Sequence, residues 1–439
     1  MKIKSGKTIK MMFLECFLKF MAKTILWRHE PFVIAVTGSI GKTTTKEAIY
    51  HLVKTEYRTW TAKKNFNNEI GVPLTIIGAE CGASSLSDFF QISKMWLKTL
   101  LGVIKYPKML VLELGIDRPD DMNYLLSIVK IDIAVVNHIT NVHQEFFKNI
   151  DQIAKEKGKI VEKLKKSSNG GFAILNEDDP RVKKMASRTN GGVMTYGYSD
   201  EADLYASDIS QIFENNKFQG LSFKLNYEGK SIPIRLKHVL ADYHIYAVLV
   251  AIAVGNVLKI NMVDLAEQVN SFHPPVGRMN SLEGINSSMV IDDTYNSSPK
   301  ATEAAINSLS NIPNQRKIAV LGDMLELGKD EARDHKRVVK LLSENNIEII
   351  FLVGRRMMEA GNFFEKSENN TIVKFFDSPL EAGNELRKIV KSGDLILVKG
   401  SQGMRMEKVV ERIIQDNGNV EKLLCRQDFN WKEKSYKMP

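Results

Sequence analysis

Small residues, a lysine and four threonines come together in the stretch Thr37-Gly38-Ser39-Ile40-Gly41-Lys42-Thr43-Thr44-Thr45, a composition suited to holding phosphate. Two glycines let backbone N–H groups turn inward, and a helix starting at Lys42 would add its positive end. Lys42 would reach the outer phosphates and the Thr43 hydroxyl would ligate Mg²⁺. Gly38, Ser39, Gly41, Lys42, Thr43 and Thr44 are therefore the candidate nucleotide contacts. The strict phosphate-loop spacing asks for a glycine at position 36, where this chain has Val36, so the general motif fails by one residue. A plain glycine turn before a helix is the alternative, and it does not account for a Lys-Thr pair directly after the loop. Glu113 ends the apolar run 108–114, and a carboxylate at the C-terminal end of a buried strand lies where open α/β sheets bind ligands. His143 follows the next run. A lone histidine is commonly structural, and a metal-ligand role comes only with Glu113 and the loop beside it. Lys157 lies in a lysine-rich helix whose default reading is a solvated face.

The elements that must position these residues alternate along the chain. Residues 32–36 are apolar and rich in β-branched side chains, as a buried strand is, and 42–54 read as a helix. Strands at 108–114, 132–137 and 171–176 alternate with helical stretches, 150–165 among them, the pattern of a parallel sheet covered by helices. Between 192 and 235 the signal changes to short alternating strands, an antiparallel annex. Helices follow at 241–258 and 262–269. Phe272-His273-Pro274-Pro275 then breaks the chain, since adjacent prolines cannot continue a helix. Beyond it strands at 289–292, 317–321, 347–353, 371–376 and 395–398 predict a second doubly wound, Rossmann-like sheet. The expected fold is α/β: a phosphate-loop parallel sheet with its annex at 30–272, and the second α/β domain at 273–439.

A length of 439 residues exceeds one ordinary core and agrees with two or three domains. With 61 basic against 52 acidic residues the net charge is +9, spread along the chain, which suits small anionic substrates or a membrane surface. No aromatic-interleaved basic motif or zinc spacing supports nucleic acid. Cys16, Cys81 and Cys425 lack metal spacing, and a reducing cytosol is the simplest compartment for them. The apolar run 11–27 is interrupted by Glu15, Lys19 and Lys23, too charged to span a bilayer, and no cleavage site follows it. Residues 1–29 thus read as an amphipathic helix. Two placements stay open for its 8–28 stretch: docked on the first domain, or lying on a membrane surface as a peripheral contact. Nothing in the pattern sets an oligomeric state.

Several further segments, taken in order with the loop, resemble the Mur ligases, which use ATP to join amino acids or peptides. They are Asn65-Phe66-Asn67-Asn68-Glu69-Ile70-Gly71, Gly277-Arg278, Asp292-Asp293-Thr294-Tyr295-Asn296-Ser297-Ser298-Pro299, Gly322-Asp323-Met324-Leu325-Glu326-Leu327-Gly328 with His335, and Lys399-Gly400-Ser401. The last two are most similar to the branch that adds D-alanyl-D-alanine to a UDP-muramoyl tripeptide of peptidoglycan. The resemblance implies an acid–amino-acid ligase that forms an acyl phosphate, with ATP on residues 38–44. It places one Mg²⁺ between Thr43 and Glu113 and a second between Glu113 and His143, with Lys157 carbamylated nearby. It sets Arg278 on the γ-phosphate and Asp293 on the ribose. Asn68, Asp323, Glu326, Lys399 and Ser401 would serve the substrates, a small carboxylate and an amine. His335 reads as structural.

The sequence also departs from the family. The phosphate strand starts at residue 32, where family members carry a preceding domain that grips the UDP-sugar. Tyr243-His244-Ile245-Tyr246-Ala247 replaces a His-Asn-x-x-Asn run whose last asparagine lies by the adenine. Lys159 stands in place of a glutamate, and Ser298 and Gln402 in place of an asparagine and an arginine. A ligase for another carboxylate, such as a poly-amino acid or cofactor precursor, is the alternative within enzymes. A non-catalytic nucleotide-binding subunit is the alternative outside them, and Lys42, Thr43, Glu113, His143 and Lys157 retained together argue against it.

Overall fold

The computed structural model describes residues 9–62, 66–79, 85–140, 146–165, 170–214, 217–313, 315–345, 347–362, 371–428 and 431. Contacts group the chain into two compact units, one formed by 1–209, 223–234 and 243–272, the other by 210–222, 235–242 and 273–439.

The larger sheet is built on strands β1 (Phe32–Thr37), β2 (Thr59–Thr61), β3 (Met109–Glu113), β4 (Ile133–Val136), β5 (Phe172–Asn176) and β6 (Gly192–Gly197). They are followed by β7 (Leu204–Glu214), β8 (Lys217–Tyr227) and β9 (Lys230–Lys237). The sheet order is β2-β3-β1-β4-β5-β6-β7-β8-β9. From β2 to β6 every pairing is parallel, which explains the unbroken apolar runs, since both faces are covered. β1 has β3 on one side and β4 on the other, so the strand order reverses there and a crevice opens at the carboxyl end of β1. The strands expected between 192 and 235 continue the same sheet: β6 lies parallel to β5, with Phe172 opposite Gly192. The turn from β8 to β9 puts Glu228 and Gly229 at φ 48° and 71°, the backbone of a tight hairpin.

One face of this sheet, with Val33, Ala35, Leu110, Leu112, Ala134 and Val136, shares a core with Leu18, Met21, Ala22 and Ile25 of the helix Ile9–His29. Those four are fully buried. Leu18, Met21 and Ile25 are worth roughly 5–9 kcal/mol together at the usual value per buried side chain, enough to dock the helix on the unit. No helix among the described residues is long and apolar enough to cross a membrane. The helix Lys42–Val53 packs with the helix Tyr243–Val257, whose apolar residues run all round because it is buried on all sides.

The second unit holds β10 (Asn280–Glu283), β11 (Met289–Asp293), β12 (Lys317–Gly322), β13 (Ile349–Val353), β14 (Ile372–Phe376) and β15 (Leu395–Lys399). They are ordered β10-β11-β15-β12-β13-β14, and β10 alone is antiparallel. Val320, Phe351, Ile396 and Val398 pack on Leu386, Val409 and Val410 of the helices Pro379–Ile389 and Glu407–Ile413.

Candidate active site

The expected phosphate loop lies at the carboxyl end of β1. Gly38 adopts φ 147° and Gly41 φ 79°, and a Cβ on Gly38 would stand 2.7 Å from Cβ of Asn137. Only glycine fits there. The Ser39 N–H donates to the His138 carbonyl (2.7 Å). The Ser39 hydroxyl donates to the Thr140 carbonyl (3.2 Å) and accepts from the Thr140 N–H (3.0 Å). Asn137 donates to the Thr45 hydroxyl at 2.8 Å, so the end of β4 holds the loop and the helix after it. No side chain caps the helix Lys42–Val53. Its first amides are left for an anion, which the helix dipole favours there.

Thr43 and Glu113 meet as expected. The Thr43 hydroxyl donates to Oε2 of Glu113 at 3.0 Å, and Asn67 donates to Oε1 at 2.9 Å. Glu113 is 4% exposed, and the two bonds fix its carboxylate plane. Lys42 donates to the carbonyls of Gly38 (2.9 Å) and Ser39 (3.3 Å). Lys157 is also aimed at the Gly38 carbonyl, at 2.9 Å, and is 1% exposed. Its lysine-rich helix, Ile150–Glu162, turns this one ammonium inward. Burial, and next the nearby Lys42, push the Lys157 pKa well below the usual lysine value. Two ammonium groups converging on one carbonyl favour the neutral amine at the buried position.

Asn68 takes a different part from its neighbour. Its side-chain oxygen accepts from the N–H groups of Gly71 (2.9 Å) and Ile70 (3.2 Å) and starts the helix Gly71–Ile77. Asn67 is the one that reaches the carboxylate. Ala247 is 4% exposed inside its helix, while Tyr246 donates to Asp178 at 2.8 Å and its ring lies 4.5 Å from that of Tyr198. His143, Asn65 and Cys81 lie outside the described residues.

In the second unit, Asp293 and Lys399 form a buried ion pair at 2.6 Å. Lys399 also donates to the Asn296 carbonyl (2.9 Å), and Asp293 accepts from the Met279 N–H (3.2 Å). The Arg278 guanidinium lies 4.1 Å from the centre of the Tyr295 ring. Asp323 is 1% exposed and accepts from the Met357 N–H at 2.8 Å. Burial raises its pKa against that bond. Glu326 is exposed and held at φ 64°, a backbone that non-glycine residues adopt at a cost of about 1–3 kcal/mol. Its loop is pinned beside it, where Ser401 accepts from the Leu325 N–H at 2.8 Å. His335 is structural, as expected: Nδ1 bonds the Glu331 carbonyl at 2.7 Å and Nε2 accepts from the Met324 N–H at 3.0 Å.

Three positioning residues escaped the sequence reading. Asn67 and Asn137 stand at a loop and at a strand end, where asparagine reads as turn chemistry. Asn137 had the same signal as Glu113, a polar residue closing a buried strand. Arg426 bonds Glu407 at 2.8 Å and the Tyr295 carbonyl at 2.9 Å. No motif marks it.

The comparisons with known proteins agree with this geometry. Residues 36–85 and 93–255 match the Mur ligase middle domain, and residues 277–402 match the Mur ligase, glutamate ligase domain. The UDP-N-acetylmuramoyl-tripeptide--D-alanyl-D-alanine ligase of Rickettsia prowazekii is 27% identical over 390 residues, 86% of this chain and 77% of that protein. The enzyme of the same name from Bacillus subtilis is 28% identical over 399 residues, 91% and 79%. Among solved structures, MurF of Acinetobacter baumannii superposes with a TM-score of 0.75 at 24% identity, covering 90% of this chain and 79% of that one. MurF of Thermotoga maritima, solved with ADP, gives 0.73 at 24% identity, covering 94% and 86%.

Proposed function

The chain belongs to the Mur ligase family, and on that premise we propose that it joins D-alanyl-D-alanine to the carboxyl group of a UDP-muramoyl tripeptide, using ATP, in peptidoglycan synthesis. The observation that carries the reading is the Thr43–Glu113 pair, 3.0 Å apart, beside an uncapped helix start at the switch point of a parallel sheet. The named relatives supply the substrates.

The residues present fit a magnesium ion. Thr43 and Glu113 offer hard oxygen donors, and magnesium takes one or two protein oxygens and completes its shell with phosphate oxygens and water. When bound, the ion would neutralise the outer phosphates of ATP. Asn67 holds the Glu113 carboxylate in one orientation for this task. Lys42, now folded back on the loop carbonyls, would swing onto the phosphates. Burial lowers the Lys157 pKa and so raises the share of neutral amine, the form that can add carbon dioxide, and this supports its carbamylation.

In the ligation a carboxylate oxygen attacks the terminal phosphorus of ATP and ADP leaves. The amine then attacks the acyl carbon, inorganic phosphate leaves, and the amine gives up a proton. Positioning and cationic clamping do most of such work, and Lys42 and Arg278 are the cations assigned to it. The test is phosphate release with ATP, magnesium, UDP-muramoyl tripeptide and D-alanyl-D-alanine, each omitted in turn, with the product weighed by mass spectrometry. Release that needs every component and yields the joined peptide is expected, with Lys42→Ala at least about a hundredfold slower. Undiminished turnover in that variant would remove the nucleotide assignment. Ligation of only some other carboxylate would keep the chemistry and replace the substrate.

A further inference from the structure

The helix Ile9–His29 is apolar on two faces. Leu18, Met21, Ala22 and Ile25 are fully buried against the sheet, yet Phe13, Phe20 and Trp27 are 68%, 57% and 78% exposed. Those three are spaced by seven residues, so they form one stripe along the outer side. The helix Leu86–Leu100 lies beside it and runs the same way. The rings of Phe17 and Phe89 are 5.1 Å apart, Trp96 donates to the Thr24 hydroxyl at 2.9 Å, and the His29 ring bonds the Thr99 carbonyl at 2.9 Å. This second helix and the residue after it add Phe90, Leu97 and Leu101, 70%, 49% and 68% exposed. Six large apolar side chains on two adjacent helices make a patch that water does not favour.

The charges on the two helices are mostly of one sign. Every exposed charged residue among their described positions is basic: Lys10, Lys23, Arg28, Lys94 and Lys98. Glu15 is buried and Asp88 is used in a capping box with Ser85. Beyond Trp27 and Leu101 lies a cleft lined by His29, Arg58, Lys105 and Lys108, with Glu30 as its one acid. A second copy of the chain would bring the same basic rim against itself, and like charges facing each other oppose such pairing. A bilayer with anionic headgroups complements both parts: lipid tails take the aromatic stripe, and the lysines meet phosphate.

We infer that the paired helices Ile9–His29 and Leu86–Leu100 form a peripheral docking surface for an anionic lipid membrane. The aromatic stripe enters the interface and the basic rim lies at headgroup level. The first unit is thereby held on the bilayer without crossing it.

The experiment is cosedimentation of the full chain with vesicles of phosphatidylcholine alone and of phosphatidylcholine with phosphatidylglycerol. Binding to the anionic vesicles at least about tenfold above the neutral ones is expected, falling as salt is raised. Phe20→Ser with Trp27→Ser, and separately Lys23→Glu with Lys98→Glu, are each expected to lower it at least about tenfold. All four side chains are exposed or lie outside the core, so ATP-dependent phosphate release should be unchanged, and that activity reports that each variant is folded. Equal partition to neutral and anionic vesicles, or wild-type binding by the lysine variant, would overturn the proposal. So would self-association of the wild type that the Phe20 and Trp27 substitutions abolish while no vesicle binds.

Discussion

At the scale of single residues, the site depends on side chains that hold others in place. Asn67 donates to Glu113, so among the described residues Asn67→Ala leaves Thr43 as the single side-chain donor to a carboxylate that is 4% exposed. Loss of a partner that orients a metal ligand typically costs ten- to a hundredfold in metal affinity or activity. Phosphate release titrated with magnesium should show a weaker apparent metal affinity in that variant, and an unchanged titration would show Glu113 to be oriented without it. Lys157 adds a dependence on pH. Its folded pKa is depressed, so the unfolded chain binds more protons between that pKa and the ordinary lysine value. Stability therefore rises with pH across this window. Wild-type urea midpoints should gain on those of Lys157→Met as pH is raised from 7 toward 10. Parallel midpoints would mean that the buried amine stays charged.

At the scale of elements, the end of β11 shows how a strand end supports a site loop. Asp292 is fully buried, accepts from the Thr294 hydroxyl at 2.6 Å and the Thr294 N–H at 3.1 Å, and leaves Oδ2 without a hydrogen-bond partner among the described residues. Burial pushes its pKa up to about 6 against an ordinary 3.8, the Thr294 bonds opposing. A raised carboxyl pKa means the folded state binds the extra proton. Stability is then full below about pH 4 and declines as pH rises through about 6, by up to roughly 3 kcal/mol. Asp292→Asn mimics the protonated form, so denaturation midpoints of the variant should hold level between pH 4.5 and 7 while those of the wild type fall. Identical pH profiles would count against the shift. The segment that follows β11 is held from far along the chain, because Arg426 joins the Tyr295 carbonyl to Glu407, which is 0% exposed. Arg426→Ala leaves Glu407 with Arg405 alone, and losing one arm of such a buried cluster costs up to about 3–5 kcal/mol. Chemical denaturation should register that loss, and a change under about 1 kcal/mol would mean that Arg405 and solvent compensate.

At the scale of the molecule, what the sequence revealed follows from what each part buries. β1, β3, β4 and the parallel strands β11 to β15 lie close to their expected positions because parallel strands covered on both faces must be continuously apolar, whereas the antiparallel β10 is not among the expected strands. The outer stripe of Phe13, Phe20 and Trp27 was hidden, since an apolar residue in sequence does not say which face it serves. Lys157 reads by composition as a solvated lysine and is singled out by the family resemblance alone, and only the turn of its helix reveals that its amine is buried. The Thr43–Glu113 meeting was legible because strand ends and helix starts converge where the strand order reverses. The two units also have separate cores, the first sharing Val33, Leu112 and Val136 and the second Val320, Phe351 and Val398. Units with independent cores melt independently unless their coupling is strong, so calorimetry should resolve two transitions. The phosphate loop belongs to the first unit, and a ligand that binds only folded chain at a hundred times its Kd adds about 2.7 kcal/mol to that unit. For a body of this size that is roughly 5–10 °C in Tm. Magnesium-ADP should therefore raise the transition of the first unit more than that of the second, and Lys42→Ala should cancel that rise. Two transitions that climb together, or a single one that moves as a whole, would mean that nucleotide binding stabilises both units as one cooperative body.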